Sequence, residues 1–201
     1  FVGLGHTRLS IIDLSSHAHQ PMCAPSGHVI VFNGEIYNHI ELRQELASHW
    51  DFQSNSDTEV ILAAYVRFGP DCVKKFKGMF AFAIWDGEVL FCARDHFGIK
   101  PFYYTTQNQT FYLASESKAL LPFLPEIATH RQAFVEYMTF QYPMGGKTLF
   151  AGVNQLEPAH AMLVTRDGLK IWRYWDIHYH LDFDNTPDYF EHRLQELSLI
   201  H

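Results

Sequence analysis

Five residues stand where predicted strands end or helices begin, and their types could together hold a free amino acid. Arg8, in Gly5-His6-Thr7-Arg8-Leu9-Ser10, carries a planar guanidinium fork that suits a carboxylate. Asp57, at the start of Ser56-Asp57-Thr58-Glu59, and Glu35 are acids that suit an ammonium group. Asn33 and Gly34, in Val31-Phe32-Asn33-Gly34-Glu35-Ile36-Tyr37-Asn38, place an amide beside a glycine N–H. Both are preorganised donors for a developing oxyanion, and glycine allows close approach. Such a set would grip an amino acid while its side-chain carbonyl is attacked. Each piece has a second reading. Arg8 alone fits a surface ion pair, Asp57 a first-turn residue on a helix dipole, and Asn33-Gly34 a tight turn.

The elements that must position these residues follow from periodicity. His28 to Phe32 reads as a strand that should stop at Asn33, with an amphipathic helix over Ile36 to Ser48 placing Ile36, Ile40, Leu42 and Leu46 on one stripe. Ser56-Asp57-Thr58-Glu59 fits a capping box for a helix that Gly69-Pro70 ends, and a short helix follows over Pro70 to Phe76. Met79 to Trp85 and Val89 to Ala93 form a hairpin around Asp86-Gly87, apolar on both faces and therefore buried on both sides. Two further hairpins turn at Gln107-Asn108 and Asp167-Gly168, with short helices near Glu116–Leu121 and Arg131–Phe140. After Asp176 the chain becomes polar, and a helix begins at Tyr189. Serial hairpins with helices between them predict an α+β domain of antiparallel sheets, stacked with helices outside.

Composition narrows the class. The 201 residues hold 15 Lys and Arg against 22 Asp and Glu, a net charge of −7, which argues against a nucleic-acid footprint. No apolar run is long enough to span a bilayer. The three cysteines, Cys23, Cys72 and Cys92, form no CxxC pair, which points to a reducing, cytoplasmic setting and to thiols that pack. His17/His19 and His178/His180 lack a third ligand nearby, so no metal site is expected. Gly145-Gly146-Lys147-Thr148 lacks the preceding glycine of a phosphate loop and is set aside.

Taken in order, the blocks GHTRLSIIDLS, HQPM, VFNGEIYNHIELRQEL, SDTEVILAAY, GMFAFAIWD, ARDHFGIKPFYY and SESKAL resemble the glutaminase domain of glutamine-hydrolysing asparagine synthetases, from Gly5 to about Asp176. The resemblance implies an N-terminal-nucleophile (Ntn) hydrolase-like fold, a four-layer αββα sandwich of two antiparallel sheets, here lacking its first strand region. It divides the chain into a glutamine amidotransferase domain, 1–176, and a linker with the start of a truncated synthetase domain, 177–201. By position it implies that Arg8 binds the α-carboxylate of glutamine and that Asp57 and Glu35 meet its α-ammonium. The Asn33 side chain and Gly34 N–H would form the oxyanion hole, with backbone at Leu9 and Ile11 lining the pocket.

The family nucleophile is a cysteine at the mature N-terminus, acting with its own α-amine as base. The chain opens instead on Phe1-Val2-Gly3-Leu4-Gly5. The expectation is therefore a fragment that does not hydrolyse glutamine by itself. The full protein would be a ligase that releases ammonia from glutamine and amidates aspartate, with ATP and Mg2+ bound in the synthetase domain in cis and no cofactor in this one. A homodimer is left open. Two alternatives stand beside this: a relative that amidates a surface-polysaccharide sugar, and a glutamine-binding module without turnover. Ala93-Arg94-Asp95-His96-Phe97-Gly98-Ile99-Lys100-Pro101 is read as scaffold.

Overall fold

The computed structural model describes residues 1–7, 13, 15–179 and 184–198. Among these, the strands in chain order are β1 (Met22–Cys23), β2 (Val29–Ile36), β3 (Gly78–Trp85), β4 (Leu90–Arg94), β5 (Tyr103–Gln107), β6 (Thr110–Ala114), β7 (Asn154–Gln155), β8 (His160–Thr165) and β9 (Gly168–Arg173). The helices are α1 (His39–Leu46), α2 (Asp57–Phe68), α3 (Arg131–Phe140) and α4 (Pro187–Ser198), with 3₁₀ segments Ser16–Ala18, Gly69–Lys75 and Ser117–Phe123. The strands form a six-stranded sheet of order β1-β2-β3-β4-β8-β9 and a three-stranded sheet of order β6-β5-β7, all pairs antiparallel.

The alternation along β3 builds the layers. Phe80, Phe82 and Ile84 face one way and join Ile30, Phe32, Phe91 and the helical residues Leu42, Leu46, Ile61 and Leu62 in one core. Ala81 and Ala83 face the other way, with Val31, Cys92 and Met162, toward Phe102, Tyr104 and Leu113 of the small-sheet side. Large side chains thus fill the helix–sheet layer, while the small alanines on the opposite face leave space between the sheets. The Ser117–Phe123 segment packs on β5 and β6 and completes the stack. Each fully buried phenylalanine contributes about 1.5–3 kcal/mol.

The three expected hairpins form, two of them with the turn displaced by one residue, to Asn108-Gln109 and Arg166-Asp167, and the β3–β4 hairpin is buried on both faces. Asn108 and Gln109 take positive φ (48° and 62°), as a tight two-residue connection demands. Three expectations need correction. The strand does not stop at Asn33; β2 runs through Asn33-Gly34-Glu35 to Ile36, because β3 continues opposite it to Gly78. The helix accordingly begins at His39, with Ile36 in the strand and Ile40 59% exposed, while Leu42 and Leu46 carry the buried stripe. Ser56 does cap α2, accepting the Thr58 N–H at 3.2 Å, but Glu59 does not close a capping box. Its carboxylate instead accepts the N–H groups of Gln53 (2.9 Å) and Ser54 (2.7 Å), the Ser54 hydroxyl (2.6 Å) and the Trp50 indole (3.1 Å).

The loop after β4 is held as its polar residues require. Buried Arg94 donates to the carbonyls of Lys100 (2.7 Å), Gly98 (2.6 Å) and Leu156 (2.6 Å). The Asp95 carboxylate accepts N–H groups of Phe97 (3.0 Å), Ile99 (3.0 Å) and Lys100 (2.9 Å). Lys147, in the rejected phosphate-loop stretch, pairs with Glu136 of α3 at 3.0 Å.

Candidate functional site

A cleft of about 670 Å³ opens between the sheets where Ala81 and Ala83 leave room. Asn33, Gly34 and Glu35 of β2 and Asp57 at the start of α2 all line it, together with Thr7 from the N-terminal segment and Lys100 from the Arg94–Asp95 loop. Four of the sequence-predicted residues therefore meet in one place. Arg8, Leu9 and Ile11 lie outside the described residues.

The hydrogen-bond pattern around Gly34 is the chemically informative part. Opposite it, Phe80 turns its N–H to Asp95 Oδ2 (3.2 Å), and its carbonyl accepts the Asp95 N–H (2.8 Å). Phe80 therefore offers nothing to Gly34, its register partner, and the Gly34 N–H points off the other edge of β2. Along that edge β1 pairs only with Val29 and Ile30. The N–H groups of Phe32 and Ile36, which share the direction of Gly34's, are taken by Gln20 Oε1 at 2.6 Å and Asp57 Oδ2 at 3.0 Å. Among the described residues, Gly34 is left as the donor between two capped neighbours. Glycine is required there: φ is 149°, and a Cβ would stand 2.1 Å from the Met79 carbonyl oxygen. Asn33 lies on the same face of β2 as Val31, toward the space between the sheets, and it lines the same cleft as Gly34.

Asp57 is 5% exposed. Burial pushes its carboxyl above the ordinary 3.8, and nearby Glu35 adds to the rise, while the N–H groups of Ile36 and Thr58 and the His39 ring oppose it. A buried acid beside a second acid is a place where an incoming cation gains strongly. Cys72 and Cys92 are sealed in the core, where burial raises both thiols far above their usual range, and Cys23 is exposed on β1 and does not line the cleft. Gln20 and Lys100 also line the cleft; the sequence reading gave Gln20, in HQPM, no role and placed Lys100, in ARDHFGIKPFYY, in a stretch read as scaffold.

The family model described as the glutamine amidotransferase domain matches residues 1–175. The chain belongs to that family. Asparagine synthetase [glutamine-hydrolyzing] 3 of Bacillus subtilis (strain 168) is 41% identical to this amidotransferase domain over 197 residues, covering 92% of the chain and 31% of the relative. Asparagine synthetase [glutamine-hydrolyzing] 1 of the same organism is 45% identical over 170 residues, covering 83% and 27%. Amidase chyE of Penicillium rubens is 36% identical over 186 residues, covering 89% and 27%. The chain thus spans about 30% of the length of the two Bacillus relatives. Among solved structures, the glutamine phosphoribosylpyrophosphate amidotransferase from B. subtilis superposes with a TM-score of 0.61 at 20% identity, over 85% of this chain and 34% of that one. A second, the allosteric regulatory enzyme of purine biosynthesis, gives 0.54 at 20% identity, over 74% and 28%. These likenesses are of fold, and they bear out the Ntn-hydrolase-like, two-sheet α+β architecture expected for an amidotransferase domain.

Proposed function

We propose that this domain is the glutaminase part of a glutamine-hydrolysing asparagine synthetase. Glutamine enters the cleft with its α-ammonium against Asp57 and Glu35 and its α-carboxylate against Arg8. Attack on the side-chain amide carbonyl creates a tetrahedral oxyanion, which accepts hydrogen bonds from the Asn33 amide and the Gly34 N–H. Collapse of that intermediate releases ammonia for an acceptor held elsewhere in the protein. The family's nucleophile is a cysteine, and none of this chain's three is placed for that part: Cys72 and Cys92 are buried and Cys23 does not line the cleft. Aspartate as acceptor, and ATP with Mg2+ to activate it, belong to the remainder of the longer protein. The observation that carries the reading is the Gly34 N–H, aimed off the β2 edge between two capped neighbours, in a cleft shared with Asn33 and buried Asp57.

The test is glutamine-dependent against ammonia-dependent asparagine synthesis by the full-length protein carrying Arg8→Ala. Loss of a charge-assisted pair with the α-carboxylate costs about 2–5 kcal/mol, appearing chiefly as a raised KM for glutamine. Ammonia-dependent synthesis persists. Equal damage to both activities would remove Arg8 from glutamine binding.

A further inference from the structure

We propose that Gln20 is a positioning residue that sets the distance between the oxyanion donors and the ammonium site, an inference that rests on the glutaminase reading above. Its side-chain amide is used at both ends. Oε1 accepts the Phe32 N–H at 2.6 Å, one residue before Asn33, and Nε2 donates to the Thr58 hydroxyl at 3.4 Å, one residue after Asp57. The amide orientation is fixed chemically, because a backbone N–H can only be met by the amide oxygen. Gln20 therefore ties β2, which carries Asn33 and Gly34, to the first turn of α2, which carries Asp57. A second tie joins the same two elements, from Asp57 Oδ2 to the Ile36 N–H at 3.0 Å. The two bonds bracket Gly34 from either side along one strand edge. With Ile36 and Phe32 both held, the peptide between Asn33 and Gly34 has little freedom to rotate its N–H away from the cleft.

Gln20 also does something that packing alone would not require. By occupying the Phe32 N–H it leaves Gly34, among the described residues, as the unfilled donor in that row, so an incoming oxyanion meets one strand N–H rather than two competing ones. Asp57 remains anchored by Ile36 if Gln20 is lost, so the geometry at the donors suffers more than the grip on the ammonium. A misplacement of about 1 Å at a reacting centre can cost about 10²-fold in rate.

The experiment uses the full-length protein with Gln20→Met, Thr58→Val, Thr58→Ser and the Gln20→Met/Thr58→Val double variant. Glutaminase kinetics are read beside deuterium exchange of the β2 backbone. Gln20→Met is expected to lower kcat by about 10- to 100-fold with KM within about threefold. Thr58→Val lowers kcat less, Thr58→Ser retains the hydroxyl and the rate, and the double variant is no worse than Gln20→Met, as two ends of one bridge require. Exchange at Phe32 and Gly34 rises in Gln20→Met. Wild-type kcat and unchanged exchange in Gln20→Met would overturn the proposal, as would fully additive losses that track only the folded fraction. If the wild-type protein fails to turn over glutamine, the glutaminase reading falls, and the exchange at Phe32 alone decides whether Gln20 holds the strand.

Discussion

Asp57 Oδ2 accepts the backbone N–H of Ile36 at 3.0 Å, two residues beyond Gly34 on the same strand edge. One carboxylate thus ties the strand that carries Gly34 to the start of α2, and Gly34 and Asp57 both line the cleft. Under the proposed glutaminase reading, binding and catalysis share this joint, and substitutions at Asp57 and its neighbours should separate the two.

Asp57→Asn in the full-length protein is expected to raise KM for glutamine with a smaller effect on kcat, because an ammonium is held in ground and transition states alike. An asparagine in the same orientation still accepts the Ile36 N–H through its amide oxygen. The pH dependence follows from the sign of the shift. Burial raises the Asp57 pKa above 3.8 in the free protein, so falling pH neutralises it earlier than an exposed aspartate. The KM for glutamine should therefore climb on acidification above the usual aspartate range, and this limb should vanish in Asp57→Asn. A limb unchanged by the substitution would assign it to another group.

Gly34→Ala is expected to disrupt the domain rather than tune it. The new Cβ would stand 2.1 Å from the Met79 carbonyl oxygen and 2.8 Å from the Phe80 Cα, both backbone atoms of the adjacent strand. Separating the strands or twisting φ away from 149° should cost about 3 kcal/mol or more. Chemical denaturation reads the loss. A midpoint equal to the parent's would show that β2 and β3 can part there without penalty.

Glu59 predicts an acid-sensitive share of stability. Burial alone would raise its pKa, but the hydrogen bonds from Ser54, Gln53 and Trp50 outweigh it, and the folded value lies below the ordinary 4.5. A depressed pKa means stability that is present above the unfolded value and lost as pH falls through the folded one. Glu59→Gln should lower the thermal midpoint at neutral pH and narrow its gap to the parent in acid. A gap constant with pH would leave the carboxylate charge without a role.

Much of the fold was legible because its signals are local. Asp86-Gly87 between apolar runs announces a hairpin, and Ser56 before Val60-Ile61-Leu62 announces a helix start. What misled was the Asn33-Gly34 pair. Locally it reads as punctuation, yet β3 pairs with it through Ala81 and Phe80 and continues opposite Glu35 and Ile36 to Gly78, so sheet pairing overrides the break. Glu59 was misassigned for a similar reason: the capping-box spacing was right, but the 50–54 loop offered its carboxylate four donors. The gathering of Asn33, Gly34, Glu35 and Asp57 could be named in advance only through the ordered resemblance. No periodicity shows that a strand edge and a helix start 21 residues apart will share a hydrogen bond. Gln20 was missed because a lone glutamine before proline carries no signal until its two partners are in place.

The central claim is that Asn33 and Gly34 act on an oxyanion that exists only after attack on glutamine. Steady-state glutaminase kinetics of Asn33→Ala in the full-length protein test it most directly. Removing one such donor is expected to lower kcat by roughly 10²–10³, about 2.7–4 kcal/mol, with KM nearly unchanged and some turnover sustained by the Gly34 N–H. A variant that keeps the parent kcat and raises only KM would contradict the claim and make Asn33 a residue that binds glutamine in its ground state.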